Sequence, residues 1–317
     1  MLKYWKIAFT FIGTVIGAGF ASGKEVAVFF GDGGIFAPIF SALLLGALAF
    51  LFLEVGRLSH GNPAAFLFPR APQVMKIFLK VTNLAMLAAM IAGAELILQT
   101  TFSFSGGGLL SGLLALAIVI GGAERIKNVN FFAVPLIVLL VVVLYALSPR
   151  ITVGGRLLFS SSLLYAALNI VSGGALIAEF SADTSRRGNL FSALIIFVVI
   201  AALLLLIRFA VIGSEGEEMP LLSLASRFGI GFTGGILIYL SVMTTMIGCL
   251  TLSSGKTTTS ALGALAAAFT LGMAGFGVLV DKLYPVLGAA GIAMSIVAFY
   301  RVVCHDNESC ALMCARH

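Results

Sequence analysis

Glycine interrupts the first long apolar segment of the chain. Residues 13–23 read GTVIGAGFASG and place Gly13, Gly17, Gly19 and Gly23 where a stable helix would use other residues. A broken helix exposes N–H groups at the start of its second half, which suit a carboxylate, and carbonyl oxygens at the end of its first half, which suit a cation. The alternative is close helix packing through small-xxx-small pairs. The stretch therefore predicts a ligand site or a packing surface.

A second interruption lies in residues 167–180, which read ALNIVSGGALIAEF. Glycine-interrupted apolar segments at corresponding places in two halves of a chain are the best sequence pointer to a transporter binding site. Unwound backbone is tolerated at membrane depth only where it is buried in protein or lines a cavity. The pair favours a binding site over packing. We predict that this site is formed by Gly17, Ala18, Gly19, Phe20, Ala21, Asn169, Ser172, Gly173 and Gly174.

Hydroxyl side chains cluster in a later apolar segment, IYLSVMTTMIGC. Ser241, Thr244 and Thr245 are spaced i, i+3 and i+4, which places them on one face of a helix. Together with carbonyl oxygens they could form a hard, oxygen-rich cation site. The competing interpretation is that each hydroxyl bonds back to a carbonyl one turn earlier in its own helix.

The elements that must position these residues are membrane helices. Hydrophobic residues make up 60% of the chain and charged residues 10%, and the mean hydropathy is +1.13. These values lie far outside the range of soluble domains and predict an all-α polytopic protein embedded in a lipid bilayer. The net charge of +6 is scattered through short connections rather than gathered in a patch with aromatic residues, so we expect no nucleic-acid partner.

Ten segments are long and apolar enough to cross a bilayer, for which about 20 residues are needed. With the N-terminus cytoplasmic, most of the 19 Lys and Arg residues fall inside, whereas Arg150, Arg156, Arg227 and Lys282 fall outside. Both termini are therefore expected in the cytoplasm, at the inner membrane of a bacterium. The segments, called spans 1 to 10, are residues 6–30, 35–57, 74–103, 106–122, 127–148, 157–181, 188–213, 231–253, 259–280 and 284–303.

The spans divide into two sets of five. Residues 1–150 hold the first five spans, residues 151–303 hold the second five, and residues 304–317 form a short cytoplasmic tail. Because five is odd, the second set must have inverted topology relative to the first. Each set opens with one of the two interrupted segments, which are spans 1 and 6.

The residues GTVIGAGFASGKE and the five-plus-five arrangement resemble the YkvI-type bacterial permeases of the amino acid-polyamine-organocation superfamily, which share the LeuT-like fold. The resemblance implies transport of an amino acid or similar zwitterion. It implies a structural sodium held by the carbonyls of Gly13 and Ile16 and by Ser241, Thr244 and Thr245, with no other cofactor. It also implies that the N–H groups of Ala18 and Gly19 receive a substrate carboxylate, which Ser172 to Gly174 help to enclose. Phe20 stands where sodium-coupled neurotransmitter-type members have an asparagine, which argues against a second sodium.

Carboxyl groups within the spans offer a different coupling ion. Glu25 follows the first interruption, and Glu95 lies deep in span 3. A carboxyl group at membrane depth can carry a proton, so proton coupling through either residue is the main rival to sodium.

The patterns together predict a secondary active transporter of a small solute, a neutral amino acid, coupled to sodium by alternating access. The rival of another class is a non-transporting ligand sensor on the same fold, of the germinant-receptor type, in which binding shifts a conformational equilibrium. An enzyme is not expected, because the phosphate-loop and dinucleotide patterns fail and all three histidines lie in loops or the tail.

Overall fold

The computed structural model describes residues 1–31, 34–148, 157–212, 216–254 and 257–314, and within these ranges every regular element is helical. Seven helices are long and apolar enough to cross a membrane, and the apolar helices Gly107–Ile120 and Thr258–Gly272 occupy the places of spans 4 and 9. The remaining predicted span, span 1, is divided into shorter helical pieces. The prediction of an all-α polytopic membrane protein is confirmed, and helical segments occupy the places of the ten predicted spans.

Most predicted boundaries agree with the structure to within a few residues. The helices of spans 2, 3, 5, 7 and 8 are Phe36–Leu58, Pro72–Phe102, Ala123–Leu147, Arg186–Ala210 and Gly231–Ser253. Short helices Pro63–Leu67 and Pro220–Arg227 lie in the connections between spans. The boundary between the two predicted halves, and the charged positions Arg150, Arg156, Lys256 and Arg316, lie outside the described residues.

The last two spans differ from the prediction. Span 9 ends at Gly272, and span 10 begins with Phe276–Val278, a π-helical turn Leu279–Leu283 and the helix Tyr284–Cys314. The turn between them depends on Gly275, whose φ of +90° is accessible to glycine and strained for other residues. The apolar run continues through this turn, so hydropathy alone placed the boundary several residues too late. The predicted tail continues the last helix as far as Cys314.

Span 1 is broken twice. Its pieces are Leu2–Val15, Ala18–Ala21 and Lys24–Phe30. At the first break Ile16 leaves the helical conformation, with φ −78° and ψ 64°. At the second, Gly23 adopts a left-handed conformation with φ +83°. The predicted interruption is therefore present, with a second bend seven residues after the first.

Span 6 remains a continuous helix of 22 residues from Phe159 to Phe180. Its interruption takes the form of a π-helical turn, Ile170–Gly174, with Asn169 and Gly174 still in right-handed helical conformation. A π-turn widens the helix by one residue without unwinding it, and such turns are frequent at functional sites. The glycines here lie under aromatic rings, with a Cβ added at Gly173 only 3.0 Å from Phe11.

The central helices are those of spans 1, 3, 6 and 8. In the most apolar window of each long helix, 78% of span 6 and of span 8 is buried, against 28% of spans 5 and 10. Span 3 packs along span 8, and span 1 contacts spans 5, 7 and 8. Spans 5 and 10 therefore present most of their surface outward, while both interrupted helices lie in the protein interior.

Candidate functional site: the breaks of span 1

The first break of span 1 is joined to span 8 by a threonine. The Thr245 hydroxyl, Oγ1, lies 3.2 Å from the carbonyl oxygen of Gly13 and 2.8 Å from that of Thr14. A Cβ added at Gly17 would lie 3.1 Å from the same Oγ1. A hydroxyl and two carbonyl oxygens thus converge where the first piece of span 1 ends, which brings Gly13 and Thr245 of the predicted sodium site together.

The other two hydroxyls of span 8 bond within their own helix. Ser241 donates to the Leu237 carbonyl at 3.0 Å, and Thr244 donates to the Ser241 carbonyl at 2.9 Å. This is the local bonding named above as the competing interpretation. All three hydroxyl residues are nonetheless buried. Ile16 is buried too, and it caps the first piece of span 1.

An asparagine that the sequence analysis missed lies against Gly13. Asn130 of span 5 is buried and donates its amide to the Ile126 carbonyl at 2.9 Å, while its Oδ1 has no hydrogen-bond partner. A Cβ added at Gly13 would lie 3.0 Å from Asn130 Cγ and closer still to Oδ1. A buried amide oxygen without a donor costs free energy unless a cation or a donor reaches it. A small hard cation prefers oxygen ligands of this kind. The candidate ligand atoms are the carbonyl oxygens of Gly13 and Thr14, Thr245 Oγ1 and Asn130 Oδ1.

The predicted carboxylate site on span 1 holds a carboxyl group of the protein itself. The Glu25 side chain folds back over Gly19, so that a Cβ added there would lie 2.7 Å from Glu25 Cδ. Phe20 and Ala21 are fully buried. Ala18 begins the second piece of span 1, and its side chain lies outside the described part of the chain.

The predicted residues of span 6 line the π-turn. Ser172 is fully buried, and its hydroxyl has no hydrogen-bond partner. Asn169 donates its amide to the Tyr165 carbonyl at 2.9 Å. Asn83 of span 3 donates to the Val171 carbonyl at 3.2 Å and so ties span 3 to the turn. Polar residues at membrane depth are rare, which is the signal that could have added Asn83 and Asn130 to the predicted site.

The two candidate proton carriers have different surroundings. Glu95 accepts from the backbone N–H of Gly106 at 2.9 Å and from that of Gly108 at 2.7 Å, so both its oxygens bond around the start of the span 4 helix. Glu25 is 3% exposed, and its Oε2 has no hydrogen-bond partner. The hydrogen bonds of Glu95 indicate a structural role, which leaves Glu25 as the buried carboxyl group with a free oxygen.

Cavities lie toward the two ends of the bundle. One of about 770 Å³ is formed by the end of span 3, the helix Pro220–Arg227 and the start of span 8. Another of about 410 Å³ lies beside the N-terminus, where Lys6 pairs with Glu124 at 3.6 Å and Lys3 donates to the Asp183 carbonyl at 2.8 Å. Gly13, Gly17 and Gly19 are buried between these ends.

Fold and site together define a polytopic membrane protein of the LeuT-like transporter fold. The chain is similar to Mhp1, a nucleobase-cation-symport-1 family transporter, in a closed conformation with bromovinylhydantoin bound, with a TM-score of 0.63, 14% identity, and 94% of this chain and 77% of that one covered. It is similar to the inward-facing conformation of Mhp1 with a TM-score of 0.61 and 14% identity over 94% of this chain and 75% of that one. At this identity the likeness shows the fold.

One sequence relative stands nearer. The chain is 31% identical over 151 residues to the uncharacterized membrane protein YkvI of Bacillus subtilis (strain 168). The match spans 44% of this chain and 44% of that protein, so it covers less than half of the relative's length. No protein-family model matches the chain. The relatives agree with the expected membrane location and with the fold.

Proposed function

We propose that the protein is a secondary active transporter that carries a small solute across a bacterial inner membrane by alternating access, coupled to sodium, with both termini in the cytoplasm. The likeness to Mhp1 supports the transporter class. The observation that carries the ion coupling is the convergence of Thr245 Oγ1 with the Gly13 and Thr14 carbonyls at the first break of span 1.

The proposed ion site uses oxygens from three helices. Gly13 and Thr14 supply carbonyls, Thr245 supplies a hydroxyl and Asn130 supplies an amide oxygen, a set without net charge that suits a monovalent hard cation. In the structure the Thr245 hydroxyl donates hydrogen bonds to the carbonyls of Gly13 and Thr14. With sodium bound, the hydroxyl would turn so that a lone pair of its oxygen faces the ion. Ile16, Ser241 and Thr244 remain in the proposal as flanking ligands. Binding of the ion would join span 1 to spans 5 and 8 and so favour one conformation.

Two hydrogen-bonded attachments of span 1 are candidates for contacts that change between the two conformations. The Leu221 N–H of the helix Pro220–Arg227 donates to the Ser22 carbonyl at 2.8 Å, at the second break of span 1. At the other end, Lys3 and Lys6 hold the start of span 1 to Asp183 and Glu124. We propose that these two attachments alternate, so that one cavity deepens toward the breaks while the other closes.

The surroundings of Glu25 bear on the nature of the solute. A neutral amino acid, as predicted from the sequence, would find in Glu25 an acceptor for its ammonium group. The same residue lies where the amino acid's carboxylate was expected to bind. Glu25 therefore favours a solute that carries an ammonium group over one that brings a carboxylate to this break.

Two alternatives share the same residues. Proton coupling would use Glu25, the buried carboxyl group with an unbonded oxygen. A ligand sensor would bind a solute at the same breaks without moving it. Both alternatives make predictions that differ from those of sodium coupling in a single assay.

The test is uptake of labelled amines and amino acids into proteoliposomes of the purified protein, with an inward sodium gradient in one arm and choline in the other. We expect accumulation only with sodium. Equal uptake in both arms, abolished by Glu25→Gln, would replace sodium by protons. Binding without accumulation in either arm would favour the sensor.

Thr251 provides a matched control for Thr245. It lies on the same helix and donates to the Ile247 carbonyl at 2.7 Å, a bond within span 8. Thr245→Val is expected to weaken activation by sodium at least about tenfold, the effect of losing one ligand of about 1.4 kcal/mol. Thr251→Val is expected to leave sodium activation unchanged. Equal behaviour of the two variants would remove Thr245 from the ion site.

A further inference from the structure

Glu25 places a carboxyl group at the centre of the broken helix. Gly23, in left-handed conformation, precedes the third piece of span 1, and the side chain of Glu25 lies along the backbone of Gly19, where only a residue without Cβ leaves room. Glu25 Oε1 lies against the position of a Cβ added at Gly19, and Glu25 Oε2 is buried without a hydrogen-bond partner. Oε2 is therefore the oxygen available to a ligand.

Two buried tyrosines lie on segments that pack against the helix of Glu25. Tyr165 of span 6 and Tyr284 of span 10 are each 0% exposed, and the helix Lys24–Phe30 contacts both the helix that carries Tyr165 and the π-turn that Tyr284 follows. Neither hydroxyl forms a hydrogen bond of normal geometry, although the Tyr165 hydroxyl lies near the Asn169 side chain. Glu25 Oε2 and the two tyrosine hydroxyls are thus buried polar atoms without hydrogen-bond partners on segments that pack against one another. Such atoms are rare in folded proteins and call for a ligand that can bond to them.

Aromatic rings also lie beside Tyr165. Phe29 and Phe30, on the third piece of span 1, contact the Tyr165 ring edge-on with centroids 5.5 and 5.1 Å away. Aromatic faces attract cations, and they do so most strongly where water is excluded. A carboxylate beside aromatic rings is the combination that recognises an ammonium group.

The basic side chains of this region have partners of their own. Lys24, the neighbour of Glu25, pairs with Asp281 at 4.0 Å. Arg208 of span 7 donates to the Gly31 carbonyl at 3.0 Å. No ion pair to Glu25 occurs within the described ranges of the chain. The positive charge that would balance Glu25 can therefore come from a solute.

We propose that Glu25, Tyr165 and Tyr284 form the binding site for the protonated amino group of the solute, and that this solute is an amine without an α-carboxylate. The ammonium group would donate to Glu25 Oε2 and to the two tyrosine hydroxyls. An amino acid would bring its carboxylate to the Gly19 backbone that the Glu25 side chain already covers, and like charges repel there. This inference rests on the proposed transport function and names its substrate class.

The test is a matched panel of probes binding to the purified protein, measured by calorimetry: tyramine with tyrosine, isobutylamine with valine, and ethanolamine with serine. Within each pair only the carboxylate differs. We expect at least one amine to bind about tenfold or more tightly than its parent amino acid. Parent amino acids that bind as tightly as the amines would overturn the inference, and so would a panel in which no amine binds.

Three variants keep the result interpretable. Glu25→Gln preserves size and removes the charge, and we expect it to weaken binding of the best amine about tenfold or more. Tyr284→Phe removes a hydroxyl while keeping the ring, and we expect a loss of a few-fold. Glu54→Gln is the control, because Glu54 is also buried but bonds to Arg57 at 2.5 Å and to Asn189 at 2.7 Å. Unchanged amine binding in Glu25→Gln would refute the site.

Sodium binding separates this inference from the proposed function. Retained sodium binding in Glu25→Gln would show that the variant is folded. If sodium-driven uptake occurs but prefers amino acids, the transporter stands and the amine site falls. If amines bind through Glu25 but nothing is transported, the amine site stands and the proposed function falls.

Discussion

Spans 1 and 6 carry similar glycine patterns and have different structures. Span 1 leaves the helical conformation at Ile16 and again at Gly23, and polar groups of Thr245 and Glu25 lie against the exposed backbone. Span 6 passes through the π-turn Ile170–Gly174 without unwinding, and Gly173 packs against Phe11 and Val15. Glycine therefore makes room for polar side chains in one helix and for apolar side chains in the other. The broken helix is the one to which we assign both ligands, while span 6 supplies a wall.

The glycines of the two helices provide the sharpest contrast. A Cβ at Gly19 would overlap the Glu25 carboxyl group, whereas a Cβ at Gly173 would lie 3.0 to 3.2 Å from Phe11 and Val15. We expect Gly19→Ala to raise the KM for the transported solute about 100-fold, because displacing a binding group by an ångström has effects of that size. Gly173→Ala should cost less than about tenfold, since small shifts can relieve it.

The measurement is concentration-dependent uptake into proteoliposomes. Gly263→Ala on span 9 is the control, because nothing lies within 4 Å of a Cβ added there. Equal effects of Gly19→Ala and Gly173→Ala would break the distinction between the two helices.

Two buried asparagines test whether the ion binds at span 1 or at span 6. Asn130 faces span 1 and Asn83 bonds to span 6, and each has one unpaired side-chain oxygen. We expect Asn130→Ala to lower sodium affinity about tenfold, the effect of losing one oxygen ligand worth about 1.4 kcal/mol. Asn83→Ala should leave sodium affinity unchanged. Sodium activation of uptake measures both, and a larger loss in Asn83→Ala would move the ion to span 6.

At Gly23, the stability cost of backbone strain can be measured separately from the cost of crowding by neighbouring side chains. Gly23 and Gly106 both have left-handed conformations, at φ +83° and +88°, but a Cβ at Gly23 would also collide with Val211, while Gly106 faces open space. Gly106→Ala should cost about 1–2 kcal/mol of stability from backbone strain alone. Gly23→Ala should cost about 1–3 kcal/mol more from crowding. Thermal unfolding of the two variants in the same detergent checks this, and equal midpoints would contradict the packing at the second bend.

The smallest effect is expected at Glu95. Its two oxygens bond to the N–H groups of Gly106 and Gly108, and Gln at this position keeps one acceptor. Glu95→Gln should therefore lower stability by about 1 kcal/mol, as loss of a helix cap does, and leave coupling unchanged. Thermal unfolding and uptake at two pH values measure this. Loss of pH dependence in the variant would return Glu95 to a coupling role.

Much of the fold could be predicted from the sequence. Hydropathy located the ten spans, because any helix in a bilayer must be apolar over its length. It failed at the turn before Phe276, where apolar residues continue through a bend set by the positive φ of Gly275. The glycines of span 6 indicated an interruption, but whether a helix unwinds or forms a π-turn depends on what packs against it.

The candidate site could be predicted only in part. Gly13 and Thr245 meet as expected, whereas Asn130 and Asn83 come from spans whose rotation toward the site depends on packing. The position of the Glu25 side chain depends on the left-handed turn at Gly23, so sequence adjacency gave no indication that it covers Gly19. The sodium ligands, the substrate residues and the coupling ion remain predictions.

The most direct test of the central claim is equilibrium binding of radiolabelled sodium to the purified protein, to Thr245→Val and to Thr251→Val. It needs no knowledge of the solute. The account predicts saturable binding to the wild-type protein and to Thr251→Val, and loss of that binding in Thr245→Val. Absence of saturable sodium binding in the wild-type protein, or undiminished binding in Thr245→Val, would contradict an ion site at the first break of span 1.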